Sequence, residues 1–217
     1  MPDKQEKISR IQEYYLLLRR SLETAKNGNK FRKLLEEALN AGYPIDYNFK
    51  NSSPLLHLSL SFKKLPVTIT RILLEAGADV NALDIFGRNA LMAAVSNSND
   101  PALIKKIANH TNDLDKIDTE ISGLTAYGML CQRFLYTGEP EVLSCIRYLL
   151  DLGTNTEVGG DYAACIRNLD PENLDPENLD IYTYQYRHLQ RLEVYLAAYE
   201  KQKIECTTKE SVYDYEL

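Results

Sequence analysis

The feature that most constrains the fold of this chain is a spacing: the same kind of turn residue returns every 36 residues. The four positions of this register are Asn51, Gly87, Gly123 and Gly159. Asparagine tolerates a positive φ better than most other residues, so Asn51 fits the same backbone role as the glycines. Two residues further on, the register holds four side chains able to cap a helix: Ser53, Asn89, Thr125 and Asp161. We therefore predict an array of internal repeats.

A second set of glycines follows apolar stretches with helical spacing. In VTITRILLEAGADVNA, Ile69, Ile72 and Leu73 share one helical face, and Gly77 stands where a helix would end. Gly42 and Gly153 close similar stretches. Each unit is therefore predicted to contain a helix, a short connection, a second helix and an extended loop, the finger.

These motifs resemble the ankyrin repeat family, whose units open with T-P-L-H-x-A and close with L-L-x-x-G-A-D-V-N-A. SPLLHL and LLEAGADVNALDIFGRNALMAA carry the resemblance, which covers about residues 21 to 160. The family's histidine position holds Leu56, Met92 and Gly128 in this chain, and His57 is displaced by one residue. The resemblance implies an all-α protein, an α-solenoid of stacked ankyrin repeats with capping helices at both ends.

The two ends of the chain differ from the repeats. QEKISRIQEYYLLLRRSLETAK predicts a long first helix, whose apolar face comprises Ile8, Ile11, Tyr15, Leu18 and Leu22. NLDPENLDPENLD predicts an acidic insertion. IYTYQYRHLQRLEVYLAAYEKQKI predicts a late helix with an apolar stripe of Leu189, Leu192, Leu196 and Tyr199. A calcium site in the acidic insertion is disfavoured, because the EF-hand spacing and its glycine are absent. The predicted divisions are an N-terminal capping helix pair (1–48), three repeats (49–81, 82–117 and 118–157), a degenerate fourth repeat with the acidic insertion (158–204) and a flexible tail (205–217).

Charge and composition exclude some classes of function. The net charge is −6, and no clustered basic stretch is present, so nucleic-acid binding is not expected. The four cysteines have no CxxC spacing, and the chain opens without an apolar signal-peptide core. No apolar run reaches the length needed to span a membrane. We expect a monomer in a reducing, cytoplasmic compartment.

Catalysis is not expected either. The chain has three histidines and lacks the HExxH, GxSxG, P-loop and GxGxxG motifs. A pairing of Cys131 with His57 across stacked repeats stays open as an alternative. We predict no catalytic residues, no cofactor and no metal.

The ankyrin resemblance implies that residues around each turn glycine meet a partner protein. The first of these positions is apolar in three successive fingers, and exposed apolar patches tend to mark contact sites. Aromatic and arginine side chains are also frequent interface anchors. The predicted partner-binding residues are Phe49, Lys50, Ile85, Phe86, Arg88, Ile121 and Leu124.

The function expected from these features is protein–protein recognition on a concave surface of fingers and inner helices, as a scaffold, adaptor or inhibitor. Two alternatives remain open. One is an effector exported by an intracellular bacterium to engage a host protein, and the other is a small enzyme or regulator with its activity in residues 160–217.

Overall fold

A computed structural model of the chain describes residues 4–24, 28–49, 52–61, 67–98, 100–116, 123–157 and 179–213. These residues are entirely helical apart from turns and loops. Their nine helices are α1 (Lys4–Thr24), α2 (Gly28–Asn40), α3 (Leu55–Ser61), α4 (Val67–Glu75), α5 (Ala90–Asn97), α6 (Pro101–Ala108), α7 (Ala126–Thr137), α8 (Pro140–Asp151) and α9 (Leu179–Tyr213). The prediction of an all-α protein is confirmed for this part of the chain.

The first eight helices pack as four successive pairs. Within each pair the two helices contact each other: α1 with α2, α3 with α4, α5 with α6, and α7 with α8. The first members also contact one another in the order α1, α3, α5, α7. Among the second members, α2 contacts α4 and α6 contacts α8. The apolar core therefore lies between neighbouring pairs as well as within each pair.

Polar side chains start two of these helices where the 36-residue register predicts a cap. Asn89 precedes α5, and its side chain accepts a hydrogen bond from the N–H of Met92 at 3.0 Å. Thr125 precedes α7 and accepts from the N–H of Gly128 at 3.2 Å. Each bond satisfies a donor that the first helical turn cannot satisfy itself. The fourth predicted cap, Asp161, lies outside the described residues.

Gly77 ends α4 as its sequence context predicts. Its φ is 90°, and the following N–H groups fold back: Gly77 donates to the carbonyl of Leu74 at 3.1 Å and Ala78 to that of Leu73 at 3.0 Å. This closure satisfies carbonyls at the end of the helix and turns the chain outward. The chain then continues as the finger that connects α4 to α5.

Hydrogen bonds tie the bases of successive loops together. In each case a side-chain oxygen of one loop accepts a backbone N–H of the next loop along the chain. The three bonds join Asp46 to the N–H of Asp79 (2.9 Å), Asn81 to that of Asn112 (2.8 Å) and Asp115 to that of Asn155 (2.8 Å). The loops are therefore spaced by direct contacts as well as by the helices behind them.

The long first helix has the apolar face that the sequence predicts. Tyr15, Leu18 and Leu22 are fully buried, whereas Ile8, nearer the start of α1, is 40% exposed. The hydroxyl of Tyr15 donates to the carbonyl of Ser53 at 3.0 Å and also lies against the hydroxyl of Ser52. This contact fixes α1 against the loop that leads into α3.

Helix α9 lies against the last pair. Leu189 and Leu192 are buried, as predicted for the apolar stripe of this helix. His188 packs against Gly138, just before α8, and Tyr199 donates to Asp151 at the end of α8. The two helices therefore run in the same direction. No described helix is both long enough and apolar enough to cross a membrane.

The tail predicted at 205–217 begins inside this helix. The structure continues α9 to Tyr213, past residue 204. No glycine or proline follows Pro176 in the sequence, so nothing local stops the helix at the predicted boundary. The predicted boundary at 205 and the flexibility of the tail stay predictions. Residues 168–178 of the acidic insertion lie outside the described residues.

Candidate functional site

The finger between α4 and α5 is closed by its own backbone. The N–H of Ala90 donates to the carbonyl of Val80 at 3.0 Å, and the N–H of Asp84 donates to the carbonyl of Arg88 at 2.9 Å. Gly87, with a φ of 72°, completes the turn and donates to the carbonyl of Asp84 at 3.0 Å. A side chain at this φ would be strained. The result is a tight loop whose tip is residues 83–87.

The carboxylate of Asp84 is the centre of this loop. Its Oδ1 accepts the N–H of Phe86 and the N–H of Arg88, each at 2.9 Å. Its Oδ2 accepts the Arg88 guanidinium through Nε at 3.0 Å and Nη2 at 2.9 Å. The Asp84 side chain is 2% exposed and that of Arg88 12% exposed. One nearly buried carboxylate therefore fixes both the backbone and the arginine of the finger.

Three apolar side chains at the tip of the finger are exposed to solvent: Leu83 (45% exposed), Ile85 (53%) and Phe86 (41%). These three residues are called the apolar tip. The guanidinium carbon of Arg88 lies 5.1 Å from the centre of the Phe86 ring, a distance that allows a cation–π contact. Arg88 thus contacts the ring while its charge is satisfied by Asp84. Exposed apolar groups are therefore held on a loop whose polar groups are already bonded.

The predicted contact of Arg88 with a partner stays a prediction. Arg88 faces its own finger, and its role in the structure is to hold Asp84 and Phe86. A position after a turn glycine does not determine which way the side chain points. In this finger the Arg88 guanidinium forms an ion pair with Asp84, four residues earlier. Ile85 and Phe86 are exposed as predicted, but their contact with a partner stays a prediction.

Two other residues predicted to contact a partner are partly or fully buried. Leu124 is only 8% exposed, because it packs beside Gly128 on the first turn of α7. Phe49 is half-buried against the core, with its ring centre 6.3 Å from that of Tyr15. Both side chains are therefore less exposed than those of Ile85 and Phe86, and their contact with a partner stays a prediction. Lys50 and Ile121 lie outside the described residues.

Two residues of the finger were not predicted as functional, namely Leu83 and Asp84. A signal for Asp84 was present in the sequence, because an aspartate two residues before a potential N–H donor commonly forms an Asx turn. Leu83 carries no comparable signal, since its exposure depends on the orientation of the whole finger.

His57 of α3 lies beneath this finger and is fully buried. Neither ring nitrogen makes a hydrogen bond within the described part of the chain. Burial is the main cause that lowers the pKa of the ring; the charge of Asp84 and the backbone of Arg88 and Ala82 act in the opposite direction. Because the ring has no hydrogen-bond partner, the alternative pairing of His57 with Cys131 is not formed.

A small cleft between α6, α7 and α8 is a weaker candidate. Its lining includes Arg133, Glu139 and Cys145, and its interior of about 10 Å³ holds roughly one water. Burial raises the pKa of the Cys145 thiol, which disfavours the reactive thiolate. Within the described ranges, no group of three or more His, Cys, Asp or Glu residues could hold a metal ion.

Comparisons with known proteins add no family to this description. No model of a known protein family matches the chain. No curated protein matches it at a significant level. The likeness to ankyrin repeats therefore stays a prediction based on the residues of this chain.

Proposed function

We propose that this protein is an ankyrin-type solenoid whose function is to bind another protein through the apolar tip of the 82–88 finger. Three observations support the proposal: helices packed in successive pairs, a helix ending at Gly77 in the left-handed conformation, and loops joined by hydrogen bonds at their bases. The activity is recognition without bond-making, and the protein acts as a scaffold, adaptor or inhibitor.

The observation that carries the proposal is the contrast between the loop and its tip. The carboxylate of Asp84 accepts the N–H groups of Phe86 and Arg88, yet Leu83, Ile85 and Phe86 remain 41–53% exposed. Burying the exposed part of each side chain would contribute about 1 kcal/mol, or about 3 kcal/mol for the tip. Because the loop is already fixed, little ordering entropy would oppose that gain.

Site-specific cross-linking tests this assignment. A photo-reactive amino acid is placed at Phe86, and the protein is irradiated in a lysate of the cells that produce it. The matched control carries the same group at Val194, an apolar side chain on α9 that is 72% exposed. We expect a discrete adduct from position 86 that the control does not form. Identical adducts from both positions, or an adduct from position 194 alone, would contradict the proposed site.

A further inference from the structure

Helix α1 forms one end of the stack of helices, and the middle of its outer face is apolar. The helix packs against α2 and α3, and Tyr15, Leu18 and Leu22 form its buried side. Leu16 and Leu17, which are 51% and 41% exposed, lie away from that side. In arrays of stacked helices the terminal unit normally has a polar outer face, which keeps further copies from stacking on it. Two adjacent exposed leucines at this position therefore indicate a contact surface.

Charged residues of opposite sign lie one helical turn before and one helical turn after these leucines. Glu13 precedes Leu16 and Leu17 by three and four residues, and Arg20 follows them by four and three. Residues at these spacings are neighbours on a helix surface, and both charged residues are exposed. The outer face therefore runs from an acidic group through two apolar groups to a basic group, over a length of about 10 Å.

This order of side chains is complementary to itself when a second copy lies antiparallel to the first. A two-fold axis midway between positions 16 and 17 places Leu16 opposite Leu17 of the second copy. The same axis places Glu13 opposite Arg20 of the second copy, and Arg20 opposite its Glu13. A parallel arrangement would instead set like charges against each other. Charges at the edge of a contact determine orientation more than affinity, so these charges favour the antiparallel arrangement.

We propose that two copies of this chain associate through the outer faces of α1, antiparallel and around a two-fold axis between Leu16 and Leu17. The four leucines form the apolar centre of the contact, and two pairs of Glu13 and Arg20 flank it. Such a dimer differs from the monomer expected from the sequence. The contact involves neither the apolar tip nor another protein, so it goes beyond the proposed function and does not depend on it.

The size of this face limits the strength of the association. Helix α1 has 21 residues and is therefore about 30 Å long. One face of a single helix offers less area than the roughly 800 Å² per partner of a standard protein interface. We therefore expect a reversible dimer with a Kd of about 10–100 µM, so that the monomer prevails in dilute solution and the dimer at high concentration.

Sedimentation equilibrium of the isolated full chain in a reducing buffer, across the micromolar range, measures this association. We expect the average mass to rise with concentration from that of the monomer, 24.8 kDa, towards that of the dimer. Leu16→Glu/Leu17→Glu should raise the Kd about tenfold or more, because it removes the apolar centre. The matched control is Val194→Glu/Ile204→Glu, which alters two exposed apolar side chains of α9 and should leave the Kd unchanged.

Charge reversal tests the arrangement of the two copies. Glu13→Arg sets like charges opposite each other, and we expect the Kd to rise about fivefold or more. Glu13→Arg combined with Arg20→Glu restores opposite charges in reverse order, so the double variant should dimerise as the wild-type protein does. Circular dichroism and a melting curve establish that each variant is folded.

A protein that stays monomeric across this range would overturn the proposal, as would a folded leucine variant that dimerises like the wild type. A dimer that is lost in the α9 variant, or a folded double charge variant that does not recover the wild-type Kd, would overturn it as well. These outcomes are separate from those of cross-linking. A dimer without an adduct from position 86 would refute only the proposed function, and an adduct from that position in a protein that stays monomeric would refute only the dimer.

Discussion

Replacing Asp84 by alanine should destabilise the protein more than any comparable change at an exposed ion pair. The substitution removes the acceptor of two backbone N–H groups and leaves the Arg88 guanidinium, 12% exposed, without its carboxylate. Asp84→Asn is the informative intermediate, because an amide oxygen can still accept both N–H groups but carries no charge for Arg88.

The magnitudes follow from burial. Removing one partner of a buried ion pair costs about 3–5 kcal/mol, which is the loss expected for Asp84→Ala. Asp84→Asn should cost less, about 1–3 kcal/mol, because its hydrogen bonds to the backbone survive. The control is Glu75→Ala, which breaks the bond to Arg32 at 3.0 Å between side chains that are 47–50% exposed. Its expected cost is below about 1 kcal/mol.

Urea unfolding followed by circular dichroism measures these losses, with the slope of the transition checked for each variant. The reasoning predicts the order Asp84→Ala, Asp84→Asn, Glu75→Ala, from the largest loss to the smallest. A loss for Asp84→Ala within about 0.5 kcal/mol of that for Glu75→Ala would refute the role of Asp84 as the centre of the finger.

Two further changes test the packing of α9 and the hydrogen bonds between loops. Gly138 has a φ of 64°, and an added Cβ would overlap the ring of His188, so Gly138→Ala should cost about 2–4 kcal/mol in urea unfolding. Gly153→Ala, at a φ of 90° with open space around it, should cost about 1–2 kcal/mol, and equal losses would contradict the contact with α9. Burial and the charge of Asp79 raise the pKa of Asp46, so the folded state favours its protonated form and the ionised form weakens the fold as the pH rises. Asp46→Asn should therefore raise the melting temperature slightly at pH 7 and not at pH 3, and a lower melting temperature at pH 7 would contradict this reasoning.

The helix boundaries were predictable where a local rule decides them. Asn89, Thr125 and Gly77 act through their own backbone and the first or last helical turn, so the sequence around them contains most of the information. The apolar spacing of Leu189 and Leu192 likewise predicts a buried face without knowledge of what covers it.

The exposure of the finger side chains was less predictable, because it depends on contacts from elsewhere in the chain. Phe49 packs against Tyr15, which lies 34 residues earlier on α1. Leu124 is covered on α7, and Arg88 bends back to Asp84. Position in the 36-residue register thus indicates where a loop lies, whereas the side chains around the loop determine which of its residues reach solvent.

His57 illustrates the same limit for polar groups. The sequence identifies a histidine displaced by one residue from the position that the ankyrin pattern uses. It does not indicate that the ring is fully buried, with no hydrogen bond to either nitrogen within the described part of the chain. That property depends on how the rest of the chain packs around α3.

The most direct test of the central claim is the affinity of a partner cross-linked at position 86, measured by calorimetry with the purified proteins. Ile85→Asp/Phe86→Asp should weaken binding by about 30-fold or more, equivalent to about 2 kcal/mol, because two apolar contacts are lost and two charges must be desolvated. Val194→Asp/Ile204→Asp alters two exposed apolar side chains on α9 and should leave the affinity unchanged. Equal affinities for the two folded double variants would contradict recognition through the apolar tip.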